Sequence, residues 1–179
     1  MAIIDTIPEL DTLLQQWSST LGQDLQAYRN HNYRVANFCI EMAGATEDEI
    51  AKIGIACAFH DLGVWTHKTL DYLEPSRAFA AEYLAKIGKP EWSAEIEAMV
   101  VEHHKLRSAG ASAGPLVEPF RKADWIDVSL GMLSFGLSRS FIREVQTRFP
   151  NVGFHKRLVQ LSGRQLLKTP WNPMPMMRF

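Results

Sequence analysis

Ala56-Cys57-Ala58-Phe59-His60-Asp61-Leu62-Gly63 is the stretch on which the reading of this chain turns. An apolar helical run ends in adjacent histidine and aspartate, and a glycine two residues later breaks it. Two strong metal-binding side chains at a helix end, backed by a buried face, are hard to explain by packing alone. The reading then depends on whether other elements supply partners.

Working outward, the pattern is helical nearly throughout. Thr46-Glu47-Asp48-Glu49 has capping-box form and opens the helix whose stripe is Ile50, Ile53, Ala56, Cys57 and His60. Before it, a helix from about Asp24 to Met42 places Tyr28, His31, Val35, Phe38 and Met42 on one inner stripe, with Gly44 as C-cap. Pro8 opens an earlier helix carrying Leu10, Leu13, Leu14 and Trp17, and Ser18 to Gly22 is a break. Beyond the doublet, Leu62 to Glu74 reads as a loop. Pro75 opens a helix with Phe79, Tyr83, Leu84 and Ile87 inward, and Pro90 opens another with Ile96, Met99, Val100 and His103 on one face. Ser108 to Pro115 reads as a mobile Gly/Ala/Ser loop. Helices follow over Val117 to Leu130, Ser138 to Phe149 and Val152 to Leu167. No sustained period-2 alternation and no repeat is present. The expected fold is all-α: a single-domain helical bundle over 1–168, followed by a Pro/Met-rich tail over 169–179. Met174, Met176, Met177 and Phe179 make that tail apolar, so it is expected to pack on this domain or on a neighbour.

Composition excludes several classes. Over 179 residues the apolar fraction is 46%, the charged fraction 22% and the net charge -1. That is ordinary for a globular protein and gives no electrostatic footprint for a nucleic-acid polymer or an anionic membrane. The N-terminus lacks the pattern of a signal peptide, and no apolar run approaches the roughly 20 residues of a membrane span. The cytoplasm is the expected compartment. Cys39 and Cys57 lie in apolar runs and read as reduced, buried residues.

Three stripes place a metal-ligand type where a packing residue is expected: His31, His60 with Asp61, and Asp124. Asp124 sits between Ala123 and Trp125, and a buried carboxylate without a partner is costly. Singly, each has a plainer reading. A lone histidine is often a hydrogen-bonded core residue, and Asp124 has Arg121 and Lys122 as nearby partners. Together, on three separate helices, they point to a divalent cation.

The order of these segments resembles the HD-domain superfamily of metal-dependent phosphohydrolases. The resemblance rests on His31-Asn32-Tyr33-Arg34-Val35-Ala36, on the His60-Asp61 doublet with Gly63, on Val100-Val101-Glu102-His103-His104, and on Arg121-Lys122-Ala123-Asp124-Trp125-Ile126-Asp127. It spans about residues 28 to 130. It implies a helical bundle with one divalent metal at its centre (Mn, Mg, Fe, Co or similar), held by His31, His60, Asp61 and Asp124. A metal-bound water would attack a phosphate ester of a small metabolite or nucleotide, with Asp61 orienting it or taking its proton. Relatives with two metals carry a further histidine where this chain reads Glu74-Pro75-Ser76-Arg77-Ala78-Phe79, which argues for one metal. A nucleotidase branch has a glutamate where this chain has Val64.

Other residues surround this set. His103 continues an inner stripe and is read as a ligand, a phosphate donor or a core residue, with a catalytic role favoured. His104 is one step round the helix and less suited to point inward, although a neighbouring doublet can serve one pocket from both sides, and it stands with His67 among the candidate substrate-binding residues. His67 is a substitute activator or a solvated loop histidine. Arg34, Lys105 and Arg107 are candidate phosphate donors, with Lys68 and Arg77 near them. Trp65 and Trp125 stack a base or are simply buried. The expected partner is a small phosphorylated substrate, and the apolar tail favours some oligomeric contact, a homo-oligomer included. Two other readings stand beside the hydrolase: an HD-type iron oxygenase, and a non-catalytic metal-stabilised ligand-binding domain.

Overall fold

The computed structural model describes residues 2–177 and is all-helical, with no β-strand among them. The elements are α1 (Pro8–Gln16), α2 (Ser18–Leu21), α3 (Leu25–Ala43), α4 (Glu47–Phe59), α5 (Gly63–Thr66), α6 (Leu73–Lys86), α7 (Ser93–Glu102), α8 (Val117–Val128), α9 (Arg139–Arg148) and α10 (Phe154–Lys168). Short 3₁₀ turns at Gly22–Asp24, Pro90–Trp92 and Ala111–Ala113 join some of them.

The bundle is built around α3. Its sequence suggests one apolar stripe, yet side chains from Ala27 to Ile40 are buried almost without interruption, polar ones included. A helix buried on all sides is a central one. It packs against α8, α4, α9 and α10. Met42, expected inside, is only half-buried near the end of the helix. Gly44 ends it in the left-handed conformation at φ 62°, which costs glycine little. The Thr46 N–H then donates to the Glu49 carboxylate at 2.8 Å, and α4 begins. One continuous cluster of buried apolar side chains runs from Ile7 to Phe154.

The helix after the doublet differs from the sequence reading. Leu62 to Glu74 is not a plain loop: α5 forms at once, and α6 starts at Leu73. Pro75 sits at the third helical position, where a missing N–H breaks no helical bond. Gly63 permits this turn. A Cβ there would lie 2.7 Å from the Tyr72 carbonyl oxygen, and its N–H donates to Ser76 Oγ at 3.0 Å. Ile87, expected inward, is 41% exposed beyond the end of α6, while Leu84 is buried as expected and Ala80 is buried beside it. The Ser108–Pro115 segment is tied at its ends, since Ala109 N–H donates to Glu118 and Leu116 N–H to Glu95.

Both cysteines are free and buried, as read. In the tail, Met176 packs on Val64, Leu70, Tyr72 and Leu73, whereas Trp171 stays 82% exposed. Phe179, assigned to the same apolar tail, lies outside the described residues.

Candidate metal centre

Four segments deliver histidines and aspartates to one buried cleft. His31 comes from α3, His60 and Asp61 from the end of α4, His103 and His104 from the end of α7, and Asp124 and Asp127 from α8. His31, His60 and His103 are fully buried, and Asp61, Asp124 and Asp127 nearly so.

His31 Nε2 and His60 Nε2 face each other at 3.0 Å. Each ring is fixed through its other nitrogen. His60 Nδ1 donates to the Cys57 carbonyl at 2.8 Å, and His31 Nδ1 lies 2.7 Å from Asp127 Oδ2. A carbonyl only accepts, so the His60 proton is on Nδ1 and its Nε2 is a bare lone pair in the neutral ring. Burial pushes this imidazole down to about 3, so it is neutral at pH 7. His31 Nε2 points at that lone pair inside the bundle. A cation placed between the two nitrogens would be bound by both.

The carboxylates straddle the cleft. Asp61 Oδ2 is 3.7 Å from His31 Nε2 and 3.5 Å from His60 Nε2, while its Oδ1 is 3.4 Å from His103 Nε2. Asp124 Oδ1 is 3.7 Å from His31 Nε2 and 4.0 Å from His60 Nε2, while its Oδ2 is 3.5 Å from His104 Nδ1. Both oxygens of Asp124, Oδ1 of Asp61 and Nε2 of His103 are buried without a hydrogen-bond partner. Buried polar atoms are rarely left so, and these four converge on one place. The donor set of imidazoles and carboxylates therefore fits a divalent metal. His31, His60 and Asp61 form one group able to hold an ion, and Asp61, His103 and His104 form a second.

Charge reinforces the fit. Burial raises the Asp124 carboxyl to about 7, with Asp61 and Asp127 adding to the rise. Burial also acts to raise Asp61, but His60, His103 and His31 together hold it well below the usual carboxylate range. The His103 imidazole is raised despite burial by its contacts with Asp61 and Asp124. His104 is pushed well down by burial and by His103. A bound cation would stabilise both carboxylates in their ionised form.

The expected residues divide into two groups. His31, His60, Asp61, His103 and Asp124 are brought together. His104, thought less suited to point inward, does so: its Nδ1 faces Asp124 and its Nε2 meets the Tyr72 hydroxyl at 2.7 Å. Arg34 does not serve as a phosphate donor. It is buried, forks onto both oxygens of Asp127 and donates to the Phe149 carbonyl, so it sits behind His31. His67 is exposed and bonded to Thr66 Oγ1, clear of the cleft. Lys105 pairs with Glu102 at 2.6 Å, and Arg107 is exposed on the loop beyond. Trp65 is half-buried against Tyr28, with Nε1 donating to Asp24.

Asp127 entered the sequence reading only as the end of the segment 121–127, without a role, and two participants escaped it. Asp127 orients His31, and its place three residues after Asp124 on one helix was the available signal. Phe154 stacks on His31 with ring centres 4.1 Å apart, and Tyr72 meets His104. Phe154 lies in the far C-terminal helix and Tyr72 in a segment that reads as loop, so neither carries a sequence signal.

An all-α bundle that gathers buried histidines and aspartates from four segments defines a candidate metalloprotein. A model of the HD domain matches residues 28–129, more than half of the chain, and the protein belongs to the HD-domain family. Searches of curated proteins and of solved structures returned no match. No helix among the described residues is long and apolar enough to cross a membrane.

Proposed function

We propose that this protein is a metal-dependent phosphohydrolase acting on a phosphate ester of a small metabolite or nucleotide. The observation that carries the reading is the opposition of His31 Nε2 and His60 Nε2 at 3.0 Å, each ring held through Nδ1. Its membership of a family composed mostly of metal-dependent phosphohydrolases supports the same reading.

His31, His60, Asp61 and Asp124 would hold a divalent ion, which supplies an activated water and offsets charge on phosphoryl oxygens. Asp127 and Arg34 hold His31 in the ligating orientation. Asp61 Oδ1 and His103 Nε2 lie 3.4 Å apart, each without a hydrogen-bond partner, so either would be placed to take a proton in this cleft. Tyr28 and Phe154 cover His31 and keep bulk water from that side. The His104 side chain is the most exposed of the set at 13%, so substrate would enter beside it and Tyr72. Lys105 and Arg107 follow His104 in the chain and would meet the substrate's charge at the rim.

One observation favours a two-ion reading. Asp61 and Asp124 each present one oxygen to the His31–His60 pair and the other to His103 or His104. The second group supplies what the Glu74–Phe79 segment lacks. The test is phosphate release across a panel of nucleotides and sugar phosphates with Mn²⁺ or Co²⁺. Release that exceeds an Asp61→Ala control supports the proposal. Absence of release with every substrate, alongside O₂ uptake with Fe²⁺, would favour the oxygenase alternative.

A further inference from the structure

A cavity of about 520 Å³ is not lined by any residue of the metal cleft. It opens where the family domain meets the C-terminal helix. One wall is Val64 to Leu70 of the doublet segment, another is the Thr20–Asp24 turn, and the third is α10. The turn and α10 both lie outside the matched residues 28–129. An aromatic layer separates the cavity from the metal cleft: Trp65 lines it and packs on Tyr28 with ring centres 4.6 Å apart, and Tyr28 in turn stacks against His31 and His60.

The wall chemistry is lopsided. Arg157, Leu161, Arg164 and Lys168 recur at steps of four, three and four, so α10 turns one stripe of three cations and a leucine toward the cavity. Lys68 faces them from the other wall. Asp24, the one acid in the lining among the described residues, is already engaged. It accepts from Trp65 Nε1 at 3.0 Å and pairs with Arg157 Nε at 3.0 Å. Lys68, Arg164 and Lys168 have no ion-pair partner among the described residues. Lys68 also holds a positive φ of 52°, uncommon for a residue other than glycine. Leu21, Val64, Leu70 and Leu161 give the same cavity an apolar floor, and Thr20, Gln23, Thr69 and Gln165 add neutral hydrogen-bonding groups.

We propose that this cavity is a second binding site, for a nucleotide-like small molecule with two or more phosphate groups and an apolar or flat body. Lys68, Arg164 and Lys168 take the phosphates, and the leucine floor with the Trp65 side takes the body. The volume suits such a ligand, since small-molecule sites span about 300–1,000 Å³. Unpaired cations on two facing walls favour a polyanion over a single carboxylate.

The test is calorimetric titration of chelator-treated protein with ATP and with inorganic triphosphate, which keeps the metal cleft out of the measurement. Arg164 and Lys168 are exposed, so Arg164→Glu/Lys168→Glu leaves the core untouched. The expected result is ATP binding that weakens about tenfold or more in that double variant and is unchanged in His60→Ala. ATP is expected to bind more tightly than triphosphate. Equal affinities would reduce the site to a bare polyphosphate site and overturn the nucleotide class. ATP binding that is absent, unchanged in the double variant, or lost in His60→Ala would overturn the proposal. So would binding to single-stranded nucleic acid or anionic vesicles without binding to ATP. A failure here leaves the metal reading standing, because that reading is measured by metal content.

Discussion

Asp127→Asn tests the support behind His31. Asp127 is 1% exposed and Arg34 2%, and the guanidinium forks onto both carboxylate oxygens. Breaking a buried ion pair from one side leaves an uncompensated charge and costs about 3–5 kcal/mol. Asparagine keeps the shape and one acceptor oxygen, so a loss near the lower end, about 3 kcal/mol, is expected. For a chain of this size that corresponds to a drop of about 6–12 °C in midpoint. His31 and Arg34 hold the Asp127 carboxyl below its ordinary range against the effect of burial. Its contribution is therefore complete above the ordinary value of 3.8 and lost as pH falls toward the folded value, so pH 7 reads the full effect. The second consequence is on the metal. The amide no longer fixes His31 Nδ1 as donor, and removal of such a support weakens metal affinity about 10–100-fold. Urea unfolding in chelator measures the first effect, and competitive Mn²⁺ titration well below the transition measures the second. If Asp127→Asn matches the wild type in both, Asp127 does not orient His31.

Three further outcomes follow from particular contacts. Gly63→Ala places a Cβ 2.7 Å from the Tyr72 carbonyl and 2.9 Å from Tyr72 Cβ, so a stability loss of about 1–3 kcal/mol with weakened metal binding is expected. Wild-type stability with unchanged metal affinity would show that the turn relaxes freely. Tyr72→Phe removes the 2.7 Å bond to His104, and phosphate release should fall while stability changes by about 1 kcal/mol or less. Unaltered release would remove Tyr72 from the site. The Arg121 bond lowers the Glu118 carboxyl from 4.5 to about 2, so its stabilisation is present above pH 4.5 and lost as pH falls toward 2. After discounting for exposure, Glu118→Gln should cost about 1 kcal/mol at pH 7 and only a small fraction of that at pH 2. A pH-independent difference in unfolding free energy would contradict the assignment.

How much of this was legible depends on the period of the pattern. Helices with one apolar face, such as that of Leu10, Leu13 and Leu14, declare themselves through steps of three and four. The His31, His60-Asp61 and Asp124 set was legible because each interrupts such a face with a group that burial penalises. His104 was legible only as a candidate substrate contact, since a step of 100° turns a side chain away from its neighbour's face within a regular helix. Here α7 ends at Glu102, and the turn that follows lets both histidines face the cleft. Arg34 was misread for a related reason. Helical spacing places it one turn from His31, but only the tertiary position of Asp127 decides that it faces away from substrate. The Pro75 boundary failed because proline is tolerated in a first turn as well as at its start, so it marks a helix beginning only to within a few residues.

The central claim is that the cleft binds a divalent metal, and metal content tests it most directly. Protein loaded with Mn²⁺ and desalted is analysed by mass spectrometry of the metal, beside His60→Ala and Asp124→Ala. The account predicts one or two bound ions per wild-type chain and loss of bound metal in both variants. A wild-type chain that retains no ion after loading, or full occupancy in both variants, would contradict it.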